Sequence, residues 1–201
     1  MSKDRTTEEK IKLAAEKMFM QKGYAGTRTR DIAEEAGINL ALLNYYFRSK
    51  EKLFHQIMQE SLQKFFGVIL TIFNNEDTDL NSKLEMLTEA YMNKLNQSPD
   101  LPMFVLSEIR NDPDFFLTKI AKNNSLRETV LFRQLMEVVG KERIQQMNPA
   151  HLILNFIGMV VFPFVAKPIM KSFVGISEEQ FQVIIEERKK LIPIWVKGMM
   201  A

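Results

Sequence analysis

The stretch GTRTRDIAEEAGINLALLNYYFRSKEKLF, Gly26 to Phe54, sets two short apolar-periodic segments on either side of a Gly-Ile-Asn. Each is roughly eight residues, below the length at which an isolated helix persists in water. They require a tight tertiary unit. Ile32, Ala33 and Ala36 fall on one face of the first segment, and Ile38 and Leu43 can meet them across the turn. Ala33 offers only a methyl where the helices cross, and Gly37 can take the left-handed conformation that reverses the chain within very few residues. That is the pattern of a helix-turn-helix, whose second helix enters the DNA major groove. Thr27 is placed to cap the first of the two helices, Asn39 the second, and Ser49 the long helix that follows.

Around this pair, Thr27, Arg28, Arg30, Tyr45, Tyr46, Arg48 and Lys50 collect at helix ends. Hydroxyls, cations and free N–H groups at helix starts are what anchor phosphate. Lys50 opens the long helix and is expected to meet a phosphate beside that helix's positive end.

Here the sequence resembles the N-terminal domain of the TetR family of bacterial one-component transcriptional regulators. The family's run is matched by Thr27, Ile32-Ala33, Ala36-Gly37, Asn39, Tyr45-Tyr46-Phe47 and Ser49-Lys50-Glu51-Lys52-Leu53. The resemblance implies a recognition helix presenting Asn39, Leu40, Ala41 and Asn44 with the tyrosines. It departs at Asn44, where many members carry tyrosine, and at Tyr46, where a subset reading Asn-Tyr-His-Phe has histidine. Leu40, Ala41 and Leu42 leave few hydrogen-bonding groups for base edges, so thymine-methyl contact and backbone positioning gain weight.

Outward from the motif, nearly every segment reads at helical spacing and no run alternates at period two. A capping box, TTEE, opens a first helix at Thr6 that stops at Gly23. Ser177 to Gln180, SEEQ, opens the last. Asp112-Pro113 and Asn148-Pro149 mark two further starts, and SPDLP (Ser98–Pro102) is a breaker. The expected architecture is all-α with about nine helices. A helix-turn-helix DNA-binding domain over residues 1–52 is joined by a long fourth helix to a ligand-binding and dimerisation domain over residues 53–201.

The helix from Pro149 to about Phe173 is apolar on nearly every side and must be covered all round. A partner subunit would do this, and the resemblance implies a homodimer built from two helices of each chain. The expected interface is Leu152, Phe156, Ile157, Val160, Val161, Phe164, Phe181, Ile184, Ile185, Arg188, Ile192 and Trp195. A two-fold dimer implies a near-palindromic operator. The resemblance also implies a small-molecule effector. The aromatic and Met-rich positions Phe66, Phe73, Met86, Tyr91, Phe104, Phe116, Ile120, Phe132 and Met136 are the candidate pocket, which would suit a lipophilic or aromatic compound.

Total charge is +2, and the residues through Lys52 hold eleven Lys and Arg against eight Asp and Glu, which permits nucleic acid without demanding it. With no cysteine and a charged, non-apolar beginning, a reducing, cytoplasmic setting is expected. The most apolar run, Leu152–Ala166, is too short to span a bilayer and carries Asn155 and Pro163, so no membrane partner is expected. The two histidines, His55 and His151, form no metal or catalytic pattern, so no enzyme, metal or cofactor is expected. The reading is a ligand-responsive regulator, in the family's usual mode a repressor, that binds double-stranded DNA. The alternative is a helical protein-interaction module without sequence-specific DNA binding.

Overall fold

A computed structural model describes residues 6–111, 126–140 and 148–200, with no strand among the described residues. The helices are α1 (Thr7–Gly26), α2 (Thr29–Glu35), α3 (Leu40–Tyr46), α4 (Lys50–Asn74), α5 (Leu80–Gln97), α6 (Leu101–Asn111), α7 (Val130–Val139), α8 (Ala150–Ile169) and α9 (Glu178–Met200). A 3-10 turn (Leu126–Glu128) precedes α7 and a π turn (Met170–Val174) extends α8. The expected Asp112-Pro113 helix start lies outside the described residues.

Local chemistry sets most of the boundaries. Thr6 accepts from the Glu9 N–H at 3.3 Å while Glu9 accepts from the Thr6 N–H at 3.0 Å, the reciprocal capping box. Asn39 Oδ1 accepts from the Leu42 N–H at 2.8 Å and Ser49 Oγ from the Lys52 N–H at 3.1 Å. Gly37 sits at φ 68°, which lets Ile38 donate back to the Ala33 carbonyl at 3.0 Å and closes α2. The first helix differs from expectation. It breaks at Gly23 (φ 67°, ψ 172°) and then resumes through Gly26. Thr27 does not cap α2: it is 1% exposed, and its hydroxyl hydrogen-bonds the Gly23 and Met18 carbonyls that the break leaves open. Arg28 occupies the cap position instead, where Asp31 accepts from its N–H at 3.5 Å.

The core begins with Ile11, Ala15 and Phe19 of α1, Ile32 and Ala33 of α2, and Leu43 of α3, and runs on through Leu53, Ile57 and Met58 into the body. Leu43 is the one buried residue of α3. Burying such a side chain contributes about 1.5–3 kcal/mol, so this seven-residue helix depends on one core anchor and its caps. The 25-residue α4, about 37 Å long, joins this head to the other helices.

Behind the head, α9 lies along α5 and α8 through Phe181, Ile185, Ile192 and Val196, all buried. Pro163 inside α8 has no N–H to offer the Met159 carbonyl four residues earlier. Arg188 of α9 supplies the missing donor at 2.8 Å, and its guanidinium stacks 5.2 Å from the Trp195 ring. Arg188 is thus held within its own protomer rather than free for a partner.

The apolar helix corrects two expectations. Counted with its π turn it runs from Ala150 to Val174, 25 residues, long and apolar enough to cross a bilayer by length and composition. It packs into the common core through Leu152, Val160 and Phe164. Those three, with Phe181, Ile185 and Ile192, are buried inside the protomer and cannot also face a partner. A helix apolar on every side gives no stripe from which sequence could choose the inward face. Among the described residues, the large apolar side chains left exposed include Ile153, Leu154, Ile157, Phe162 and Ile169 on α8 and Val183, Leu191, Ile194 and Trp195 on α9.

Candidate functional site

The outer surface of the head is built by α2 and α3. With Leu43 turned inward, helical geometry turns Ala41, Asn44 and Tyr45 outward, and all three are exposed. Tyr45 is 79% exposed, and its only ring contact among the described residues is Tyr46, edge-on at 5.5 Å. Asn39 is exposed and Leu40 half-buried at the start of the same helix. Arg28, Arg30 and Arg48 are exposed around it. Two of the three acidic groups of α2 are paired from α1, Asp31 with Lys22 at 2.9 Å and Glu35 with Lys17, and Glu34 is exposed. The Lys22 hydrogen bond, helped by the Arg28 N–H, holds the Asp31 carboxyl below its ordinary range. Arg30 and Arg48 have no ion-pair partner among the described residues, so this face keeps a positive surplus.

Two of the expected phosphate contacts are used internally. Thr27 is buried, as above. Lys50 Nζ donates to the Tyr24 carbonyl at 2.9 Å and the Thr27 carbonyl at 3.0 Å, and sits 4.2 Å from the Tyr24 ring centre. It ties the end of α1 to the start of α4. Its position at a helix start suggested phosphate; the three carbonyl and ring partners waiting there come from the Gly23 break, which sequence does not reveal.

A cavity of about 400 Å³ opens between α4, α5, α6 and α8, within the roughly 300–1,000 Å³ range of small-molecule sites. Phe66 and Phe73 of α4 and Tyr91 of α5 line it, as expected. Leu101, Pro102, Val105 and Leu106 of α6 and Ile153, Ile157 and Val161 of α8 complete the wall. Ile157 and Val161, expected at a subunit interface, line this cavity, and Ile157 is also partly exposed. Met86 is exposed on α5, and Phe104 packs on Phe54 and His55 instead. Phe132 and Met136 are half-buried on α7 away from the cavity, and Phe116 and Ile120 lie outside the described residues.

Helix α6 has two working faces. Leu101, Pro102, Val105 and Leu106 look into the cavity, whereas Asp100, Phe104 and Glu108, spaced four apart, meet the head and the first turns of α4. Asp100 Oδ2 accepts from the Tyr24 N–H at 2.7 Å, Phe104 stacks edge-on against Phe54 at 6.1 Å, and Glu108 contacts His55 Nε2 at 3.0 Å. The sequence marked SPDLP only as a breaker. The Gly23 kink, which frees the Tyr24 N–H for Asp100, was the missing clue.

A solvent-facing short helix after a tight turn, ringed by unpaired arginines, defines a helix-turn-helix DNA-binding protein of the all-α kind. Residues 11–57 match the bacterial regulatory proteins of the tetR family. Across 96% of the chain and 94% of its counterpart, the sequence is 24% identical to the "Probable HTH-type transcriptional regulator YttP" of Bacillus subtilis (strain 168). It is 31% identical to the HTH-type transcriptional repressor KstR2 of Mycolicibacterium smegmatis over 52% of this chain and 57% of that one. The fold is shared with the fatty acid degradation regulator FadR from Bacillus halodurans, at TM-score 0.58 and 21% identity over 96% and 97% of the two chains. The regulator PfmR from Thermus thermophilus gives the same TM-score and identity over 90% and 96%. The match to a tetR-family DNA-binding domain covers residues 11–57, and over nearly the whole chain the sequence is similar to an HTH-type transcriptional regulator.

Proposed function

We propose that this regulator is a cytoplasmic repressor that binds a near-palindromic operator as a homodimer and leaves it when a small apolar effector fills the cavity. The head is residues 1–52, reading DNA through α3 with Arg28, Arg30 and Arg48 on phosphates; the body is residues 53–201. The exposed apolar side chains of α8 and α9 support a two-fold interface there, with Leu154, Phe162, Ile169, Val183 and Ile194 in place of the protomer-buried positions. KstR2, a relative over half the chain, is by name a repressor.

The observation that carries the reading is the double face of α6. A ligand pressing on Val105 and Leu106 must move Asp100 and Phe104, which hold Tyr24 and Phe54. Re-aiming each head changes the spacing between the two recognition helices and favours the DNA-free conformer. Asp100→Ala is expected to leave cavity binding measurable by calorimetry. Release of operator by a bound apolar ligand should fall from an ordinary allosteric coupling of about 5- to 150-fold to near unity. Coupling of undiminished size would remove Asp100 from the path.

Salt dependence tests the phosphate contacts. In fluorescence anisotropy, Arg30→Ala and Arg48→Ala should each lower the slope of log K against log salt by roughly 0.9 per head. Lys50→Ala, whose ammonium is held by carbonyls, should instead lower the thermal stability of the head. Affinity indifferent to salt would mark α2 and α3 as a peptide-docking surface.

A further inference from the structure

We propose that the cavity takes an uncharged, largely aliphatic molecule bearing one hydrogen-bonding oxygen, and that the Tyr91 hydroxyl engages that oxygen. This deepens the effector reading and rests on it for its regulatory meaning, though not for the binding itself.

Among the described residues no charged side chain lines the cavity, and Tyr91 and Thr129 bring the only side-chain polar groups. Thr129 is spent: its hydroxyl donates to the Leu126 carbonyl at 2.7 Å and accepts from the Phe132 N–H at 3.2 Å. Tyr91 is not. Its ring is fixed edge-on between Phe65 at 4.8 Å and Phe156 at 5.8 Å, the residue is half-buried on the cavity wall, and its hydroxyl has no hydrogen-bond partner among the described residues. An unpaired hydroxyl on an otherwise apolar wall is a hydrogen-bonding group that a ligand oxygen can meet. Burial pushes the phenol up to about 12, so it remains a neutral O–H able to donate or accept.

Charge and shape narrow the occupant. A carboxylate would surrender its hydration with no lining cation to replace it, and an ammonium would find no lining carboxylate. Tyr91, Phe73 and Ile153 are shared with a second apolar chamber of about 90 Å³ between α4, α5, α7 and α8. A wide chamber continued by a narrow one, with the polar handle where they meet, fits a chain that carries its oxygen partway along or at one end.

The test is calorimetric titration of the full chain with decan-1-ol, decanoate, decyltrimethylammonium and naphthalene. Decan-1-ol is expected to bind. Decanoate at pH 7 should bind about 100-fold more weakly or worse, and gain roughly tenfold for each unit the pH is lowered toward 5, because it enters as the neutral acid. Tyr91→Phe should weaken decan-1-ol about 3- to 10-fold while leaving naphthalene, which has no oxygen, unchanged. Decanoate or decyltrimethylammonium binding as tightly as the alcohol at pH 7 would overturn the assignment. An unaltered alcohol affinity in Tyr91→Phe, or no binding of any probe, would do the same. If decan-1-ol binds as expected but operator affinity does not change, the effector reading fails while the cavity's chemistry stands.

Discussion

Tyr45→Ala is expected to abolish sequence-selective operator binding while leaving the protein folded. The side chain is 79% exposed on α3 and its one ring contact among the described residues is with Tyr46, so little folding energy rests on it. A large aromatic held in water has no role in the free protein's core, and on a groove-sized helix it is available for phosphate, sugar or base contact. A specific groove contact contributes about 1–3 kcal/mol. Doubled over a two-fold dimer, that is roughly two to four orders of magnitude in affinity. Fluorescence anisotropy with operator and scrambled duplexes checks it, with circular dichroism to verify folding. Selectivity retained within a few-fold would place base reading elsewhere than α3.

The second large effect is on stability. Lys83 is fully buried, yet among the described residues it forms no ion pair. Its ammonium is satisfied instead by the carbonyls of Asn75 and Thr78 and by the Thr78 hydroxyl. Burial pushes its pKa down, opposed at longer range by Asp79 and Glu76. Gln134 of α7 donates to the same Thr78 carbonyl at 2.9 Å, so this one side chain organises the junction of α4, α5 and α7. Lys83→Met keeps the stem and removes three hydrogen bonds, leaving the Thr78 carbonyl with Gln134 and the Asn75 carbonyl with the Thr78 hydroxyl at 3.4 Å. The expected cost is about 2–4 kcal/mol, seen as a lower denaturant midpoint at unchanged slope. A midpoint unmoved would show that water replaces the ammonium freely.

The head was largely legible in the sequence because its signals are local. Thr6 with Glu9, Asn39 and Ser49 each cap as their residue types require, and Gly37 turns where only a left-handed residue suits. What was hidden is non-local. Thr27 and Lys50 look like phosphate ligands by type and place, but the Gly23 kink supplies carbonyls that claim both. The faces of α8 could not be told apart in a helix apolar all round. Arg188 reads as an interface cation until Pro163 is seen to orphan the carbonyl it serves. The cavity wall drew two residues, Ile157 and Val161, from the helix assigned to the partner, since pockets form where several helices fail to meet and no single periodicity records that.

Selection of bound duplexes from a random DNA pool, at near-physiological salt, tests the central claim most directly. The expected result is enrichment of one two-fold-symmetric site, with half-sites about one helical turn or a multiple apart. Retention without enrichment, lost uniformly as salt rises, would contradict it and leave α3 as a scaffold rather than a reader of sequence.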